Sequence, residues 1–267
     1  MAYSKLTWTT GTAITPDRLN EREAILNRMN KILPDDGDIN GAGFHNSIYR
    51  GKQLGTSVTS AQWAAIKAGT FDGMFVGDYW VINKITYRIA GFDLFLHTGD
   101  TETTAHHITI VPDQTLYNAQ MNTTNTTDGA YWNSAMKQTN LADALTTVKA
   151  AFGEAHILTR RALLANAASN GVTTGWAWQS TQIDLMSEAQ VYGHTAWGKG
   201  GYDSGTEISQ FPLFRMAPAL RFYRNVWYWL KDVISASWFA HAYNYGGARY
   251  GDASTTYGVR PFFSIIG

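Results

Sequence analysis

The densest chemistry in this sequence lies near its C-terminal end, in the run Trp238-Phe239-Ala240-His241-Ala242-Tyr243-Asn244-Tyr245-Gly246-Gly247-Ala248-Arg249-Tyr250-Gly251-Asp252. Tyr and Trp offer large contact areas with few rotors, and Asn and Gly add adaptable hydrogen bonding, so this is the composition of a paratope. Small residues (Ala240, Ala242, Gly246, Ala248, Ala253) interleave with the large ones, a pattern that suits small side chains facing inward and large ones outward. The plainer alternative is an aromatic-rich antiparallel sheet with its tyrosine hydroxyls in water. Two frame-like blocks bracket the run, Trp227–Ser235 and Tyr257-Gly258-Val259-Arg260-Pro261-Phe262.

Catalytic chemistry is thinly represented. The chain has no cysteine, which removes thiolate zinc sites, disulfides and cysteine nucleophiles. His97, Asp100, His106 and His107 are the candidate metal cluster, but adjacent residues on a strand point to opposite faces, so only one of His106 and His107 can serve a given site. The calcium candidates Asp203, Glu207 and Asp252 are scattered, with no dense carboxylate loop. Asp93, Asp100 and Glu154 are the carboxylates available for a glycosidase pair. There is no Gly-x-Ser-x-Gly elbow and no His-Glu-x-x-His helix. The expectation is a binding protein, not an enzyme, with no cofactor and no metal.

Composition points the same way. The 267 residues carry 21 Lys+Arg against 21 Asp+Glu, which gives no basic face for nucleic acid. Charged residues are 16% and aromatics 13%, with 10 Trp and 14 Tyr, a folded module with an adhesive surface rather than a disordered tail. No apolar run approaches the ~20 residues of a membrane span, and the N-terminus carries no apolar stretch of a secretory signal.

These residues need elements to hold them. A short strand at Leu6–Trp8 precedes a helix that starts at Thr15-Pro16-Asp17 and ends before Pro34. Its apolar stripe (Leu19, Leu26, Met29, Leu33) reads either as a face packed on its own domain or as a short self-associating seam. The turn-rich stretch 34–43 places a boundary between an N-terminal attachment segment, 1–40, and a larger domain, 41–267. In the latter we expect a helix at Ser57–Gly69, β-rich segments at 74–76, 79–82, 85–89, 92–96 and 108–111, and a polar stretch over 117–138. Helices at 141–152, 160–168 and 181–191, a loop at 198–207 and short aromatic strands from 227 to 266 complete the pattern. The fold class is α+β, without the alternating βαβ pattern or phosphate loop of a nucleotide-binding sheet.

The C-terminal blocks, with Trp229-Leu230-Lys231-Asp232, Phe239-Ala240 and Gly258-Val259-Arg260-Pro261-Phe262, resemble the C-type-lectin-like module of phage tail and bacterial surface proteins. Within that group they are most similar to the variable proteins diversified by retroelements, which include phage receptor-binding tropism determinants. The likeness extends upstream through Ile48–Gly55, Gly77-Asp78-Tyr79-Trp80, Ile108–Tyr117, Phe152–Leu158 and Gln210–Phe214, covering about residues 44–267. The segment Gly11–Asn20 is similar to the N-terminal part of many phage tail proteins. The same fold hosts formylglycine-generating oxidases, whose chemistry needs cysteines that this chain lacks.

The resemblance implies a C-type-lectin-like fold with antiparallel strands and flanking helices, and a ligand surface on selected exposed positions: Trp238, His241, Tyr243, Asn244, Tyr245, Gly247, Arg249, Tyr250 and Asp252, with Ser237 beside them. Trp229, Leu230, Gly258, Arg260 and Pro261 are the implied frame. The expected partners are a bacterial surface protein or glycan and other phage tail proteins, with the chain as a homotrimer at the tail tip of a virion or on a bacterial surface, and without membrane insertion. A structural tail or baseplate subunit sealed by the aromatic segment, and a polysaccharide-degrading enzyme, are the competing readings.

Overall fold

The computed structural model describes residues 41–199, 205, 207–222 and 226–267. The expected N-terminal strand and helix, and most of the expected 198–207 loop, lie outside the described residues. The chain divides into two units, Met1–Ile39 and Asn40–Gly267, and the described residues all belong to the second.

The described residues are mixed α+β, mostly sheet with few helices. The strands are β1 (Gln53–Gly55), β2 (Tyr79–Ile82), β3 (Ile85–Phe92), β4 (His107–Pro112), β5 (Tyr117–Gln120), β6 (Arg160–Ser169), β7 (Val172–Thr181), β8 (Ile183–Leu185), β9 (Tyr228–Val233), β10 (Trp238–Ala242), β11 (Ala248–Asp252), β12 (Thr256–Val259) and β13 (Pro261–Ile266). The helices are α1 (Ala42–His45), α2 (Ser60–Ala68), α3 (Leu141–Phe152), α4 (Glu188–Tyr192) and α5 (Pro212–Met216). A six-stranded sheet runs β1-β2-β3-β4-β13-β8, a five-stranded sheet runs β11-β10-β9-β12-β5, and β6 pairs β7 as a separate ribbon. Most pairs are antiparallel; β1–β2 and β9–β12 are parallel.

Local chemistry explains several elements. Thr59 and Gln62 form a reciprocal capping box at the start of α2, and Gly69 closes it in the left-handed conformation at φ +72°. The β2–β3 hairpin turns through Asn83 and Lys84, both at positive φ, as a two-residue mirror-image turn requires. Helix α3 buries Leu141, Ala144, Val148 and Phe152, one face at three- and four-residue spacing.

Four expectations are corrected, and one stretch gains a strand. Residues 160–168 form strand β6, not a helix. Their Ala, Leu and Arg favour helix by propensity, but Asn170 and Gly171 turn the chain at φ +51° and +76°, and β6 pairs β7 from Arg160↔Thr181 to Ser169↔Val172. Tertiary pairing overrides propensity here, and the Asn-Gly turn was the signal for it. Residues 181–191 split into β8 and α4, whose start is set by a capping box between Ser187 and Gln190. Residues 74–76 are no strand; Val76 alone bridges Tyr49. After Phe92 the chain turns, with Asp93 at φ +52°, so 93–96 are not β. The polar stretch 117–138 contains β5, which pairs β12.

A closed ionic cluster lies inside the core. Asp184 accepts hydrogen bonds from Lys137 (2.8 Å), Thr181 (2.9 Å), Tyr131 (3.2 Å) and Arg160 (3.2 Å). Glu207 pairs with Arg160 and Lys231 and accepts from Gln190 at 3.3 Å. Burial raises both carboxyl pKa values, but the surrounding cations, Lys137 and Arg160 for Asp184 and Arg160 and Lys231 for Glu207, outweigh it and hold them below the usual carboxylate range.

Gly171 also packs tightly on the loop between β9 and β10: a Cβ there would lie 2.4 Å from Ser235 Cα. Gly171→Ala therefore combines a strained φ with a backbone clash, and we expect it to lower stability by about 1–3 kcal/mol, read as a reduced denaturant midpoint at unchanged m-value.

Candidate ligand-binding surface

Strand β10 is interior to its sheet, between β9 and the edge strand β11. Its side chains alternate, with Trp238, Ala240 and Ala242 on one side and Phe239 and His241 on the other. Ala240, Ala242, Phe239 and His241 are all buried, so the middle of β10 is covered on both faces. The available side chains come from its ends, from the turn after it and from β11.

His241 is thus a correction to the expected ligand set. It is only 2% exposed. Its ring stacks on Trp227 at 5.5 Å and 7°, and packs against Trp229 and Tyr257. Burial pushes its pKa down to about 4. Alternation of small and large residues does not encode this, because the cover over His241 comes from Trp227, Trp229 and Tyr257 on other strands and loops.

The other eight residues fall into two groups around β11. On one side, Trp238 stacks on Tyr250 at 4.6 Å and its indole N–H donates to Asp252 Oδ1 at 2.8 Å. Asn125 donates to the same oxygen at 3.0 Å. On the other side, the Arg249 guanidinium lies 5.3 Å over the Tyr243 ring, which also packs on Trp227. The turn joining β10 to β11 closes with Tyr243 N–H to Gly247 O and Gly246 N–H to Tyr243 O, both 2.7 Å. Gly246 sits at φ +81°, a three-residue loop with a left-handed glycine. This turn presents Tyr245, 73% exposed, with Asn244 half-buried beside it and Gly247 in open space. Trp238 is 37% exposed, Arg249 and Asp252 are exposed, and Tyr243 and Tyr250 are half-buried. The surface wraps an edge strand; it is not one flat face. Ser237 is half-buried in the preceding loop.

The implied frame residues Trp229, Leu230, Gly258, Arg260 and Pro261 are all buried. Arg260 donates to the carbonyls of Pro112, Leu220 and Arg221, tying the junction of β12 and β13 to the end of β4 and to the helical turn Pro218–Arg221. Gly258 has Trp227 O 2.8 Å from where a Cβ would stand.

Residues outside the expected set join the surface. Trp197, 45% exposed, meets Tyr250 edge-on at 4.7 Å and donates its indole N–H to Ala248 O at 3.1 Å. Asn125 comes from the polar stretch 117–138. The sequence signal for Trp197 was slight: one large ring in a polar, glycine-rich stretch.

Each of the catalytic candidates is engaged by a local partner. Asp93 accepts from the His107 backbone N–H at 2.8 Å and pairs with the His106 ring at 2.7 Å. His97 lies 3.5 Å from Glu102, Asp100 is forked by Arg161, and Glu154 pairs with Lys149. Arg161 holds the Asp100 pKa down, and Lys149 does the same for Glu154. Of the calcium candidates, Glu207 is in the ionic cluster, Asp252 is bonded to Trp238, and Asp203 lies outside the described residues. Among the described residues, no group of three or more His, Asp or Glu is placed to hold a metal ion, and no helix is long and apolar enough to cross a membrane. A cavity of about 340 Å³ opens beside Phe95, Arg160, Trp178 and Phe211; none of the expected ligand residues lines it.

His241 makes a pH test of this packing. The folded protein holds it neutral to about pH 4, whereas the unfolded chain protonates near its ordinary value of about 6.5. Its contribution is therefore complete above pH 6.5 and is lost as pH falls toward 4, by roughly 3 kcal/mol. Denaturant unfolding at pH 7 and pH 4.5 should show a smaller acid loss for His241→Phe than for the native chain.

In comparisons with known proteins, no family model, no curated protein and no solved structure matches this chain.

Proposed function

We propose that this chain is a non-enzymatic receptor-binding protein of a phage tail, with a C-type-lectin-like domain that grips a bacterial surface protein or glycan through the side chains around β11. The observation that carries the reading is the pairing of exposed aromatic residues with a fully buried backing. Tyr245, Trp238, Arg249 and Asp252 project from a strand and turn whose neighbours Phe239, Ala240, His241 and Ala242 are buried. Aromatic anchors beside adaptable polar groups are the residue types that dominate binding energy. The α+β architecture agrees in class with the lectin-like module that the C-terminal blocks resemble. The buried Trp229, Leu230, Gly258, Arg260 and Pro261 suit a frame that stays fixed while the exposed positions are rewritten by a retroelement.

As a homotrimer at the tail tip, with the N-terminal segment joining it to other tail proteins, such a protein would gain avidity of ~10²–10⁴ over one site without new contacts. Display on a bacterial surface would use the same face.

The test is binding of labelled protein to a panel of intact bacterial strains. Tyr243→Ala/Tyr245→Ala/Tyr250→Ala should weaken binding by at least about thirtyfold, equivalent to roughly 2 kcal/mol, while thermal unfolding stays cooperative. Unchanged cell binding by a folded triple variant would overturn this surface. Particles that fail to assemble with the variant would favour a tail or baseplate subunit sealed by the aromatic segment.

A further inference from the structure

The side chain that holds the Trp197 backbone in place is a fully buried glutamate, which is unusual for that residue type. Glu188 is 0% exposed. Its Oε2 accepts hydrogen bonds from three consecutive backbone amides, Ala196 (3.0 Å), Trp197 (3.0 Å) and Gly198 (2.9 Å). Three converging N–H donors form an anion nest, and here the protein's own carboxylate fills it. Glu188 is in turn anchored: its backbone N–H donates to Asp232 on β9 at 2.7 Å, and Ser187 and Gln190 cap the helix on which it sits.

A carboxylate buried against three amides is a strong and directional restraint. What it restrains is the backbone of 196–198 that carries the exposed Trp197 indole, whose own N–H is held by Ala248 O. From Trp197 a row of rings continues through Tyr250 to Trp238 and ends at the Asp252 carboxylate. Tyr250 is packed between its two neighbours, so the outer rings, Trp197 and Trp238, are the ones with area left for a ligand. Holding a large ring in one orientation before binding removes ordering entropy from the binding step.

We propose that Trp197 is a ligand-contact residue of the same surface, supplied from outside the C-terminal segment, and that Glu188 is its positioning residue. This rests on the binding reading above and adds to it. One wall of the site is fixed by the fold, while the residues of β10, β11 and their turn set which ligand is chosen.

The experiment uses the full chain and the intact bacterial cells that bind the native protein best. Trp197→Ala should weaken binding about tenfold, and Trp197→Phe should recover part of that loss. Glu188→Gln, which keeps shape but weakens the amide clamp, should weaken binding several-fold. In the Trp197→Ala background the same Glu188→Gln change should have almost no further effect, because the two act through one ring; a purely structural role for Glu188 would add its loss in both backgrounds. Binding unchanged in Trp197→Ala but lost in the tyrosine triple variant overturns this proposal and leaves the surface standing. If Glu188→Gln does not fold, the Trp197 variants alone decide for or against the contact. Native protein that binds no strain of the panel overturns both readings.

Discussion

The structure depends on a closed set of buried charges. Lys137, Arg160, Asp184, Glu207 and Lys231 come from five separate stretches of chain, and each is almost fully removed from water. Isolating any one of them would leave an uncompensated charge in the core, an error of about 3–5 kcal/mol. The cluster adds little net stability against an apolar filling of the same shape, but it penalises every arrangement in which the pieces do not meet. It fixes the β6–β7 ribbon through Arg160, β8 through Asp184, and β9 through Lys231. Strand β9 is the neighbour of β10, so the β10–β11 edge inherits its position from this cluster.

Helix α4 connects that core to the surface. Gln190 donates to Glu207 in the cluster, Ser187 donates to the Glu207 carbonyl, and Glu188 holds the loop that carries Trp197. One five-residue helix therefore ties the buried charges, the Asp232 side of β9 and the outermost indole together. The large rings can face water because the layer beneath them is closed. Phe239 and His241 seal one side of β10, and Ala240 and Ala242 are small enough to let the other side close.

Much of this was legible in the sequence where the cause is local. Helix α3 follows from its apolar spacing, α2 from Trp63, Ala64, Ile66 and the closing Gly69, the β2–β3 hairpin from its turn, and the C-terminal strands from aromatic runs split by glycine and asparagine. The failures have a common origin in long-range pairing. Ala-rich β6 is a strand because β7 lies beside it, and His241 is buried because Trp227, Trp229 and Tyr257 close over it. Two local signals mark the observed elements: Asn170-Gly171 as a hairpin turn, and Ser187…Gln190 as a helix start. The ionic cluster had only a faint trace, Lys231 and Asp232 set inside an otherwise apolar strand, since its members stand up to 94 positions apart. Eight of the nine expected ligand residues surround β11, but nothing in their order shows that they flank an edge from two sides.

The central claim is that the rings around β11 are where a bacterial surface molecule sits. Hydroxyl-radical footprinting of the protein, free and bound to cells, measures this directly because it reads the accessibility of each aromatic side chain. The account predicts that Tyr245, Trp238 and Trp197 lose reactivity on binding while Tyr49, 42% exposed where it bridges Val76, keeps it. Protection confined to Tyr49 and Ile48, with Tyr245 as reactive as before, would contradict it.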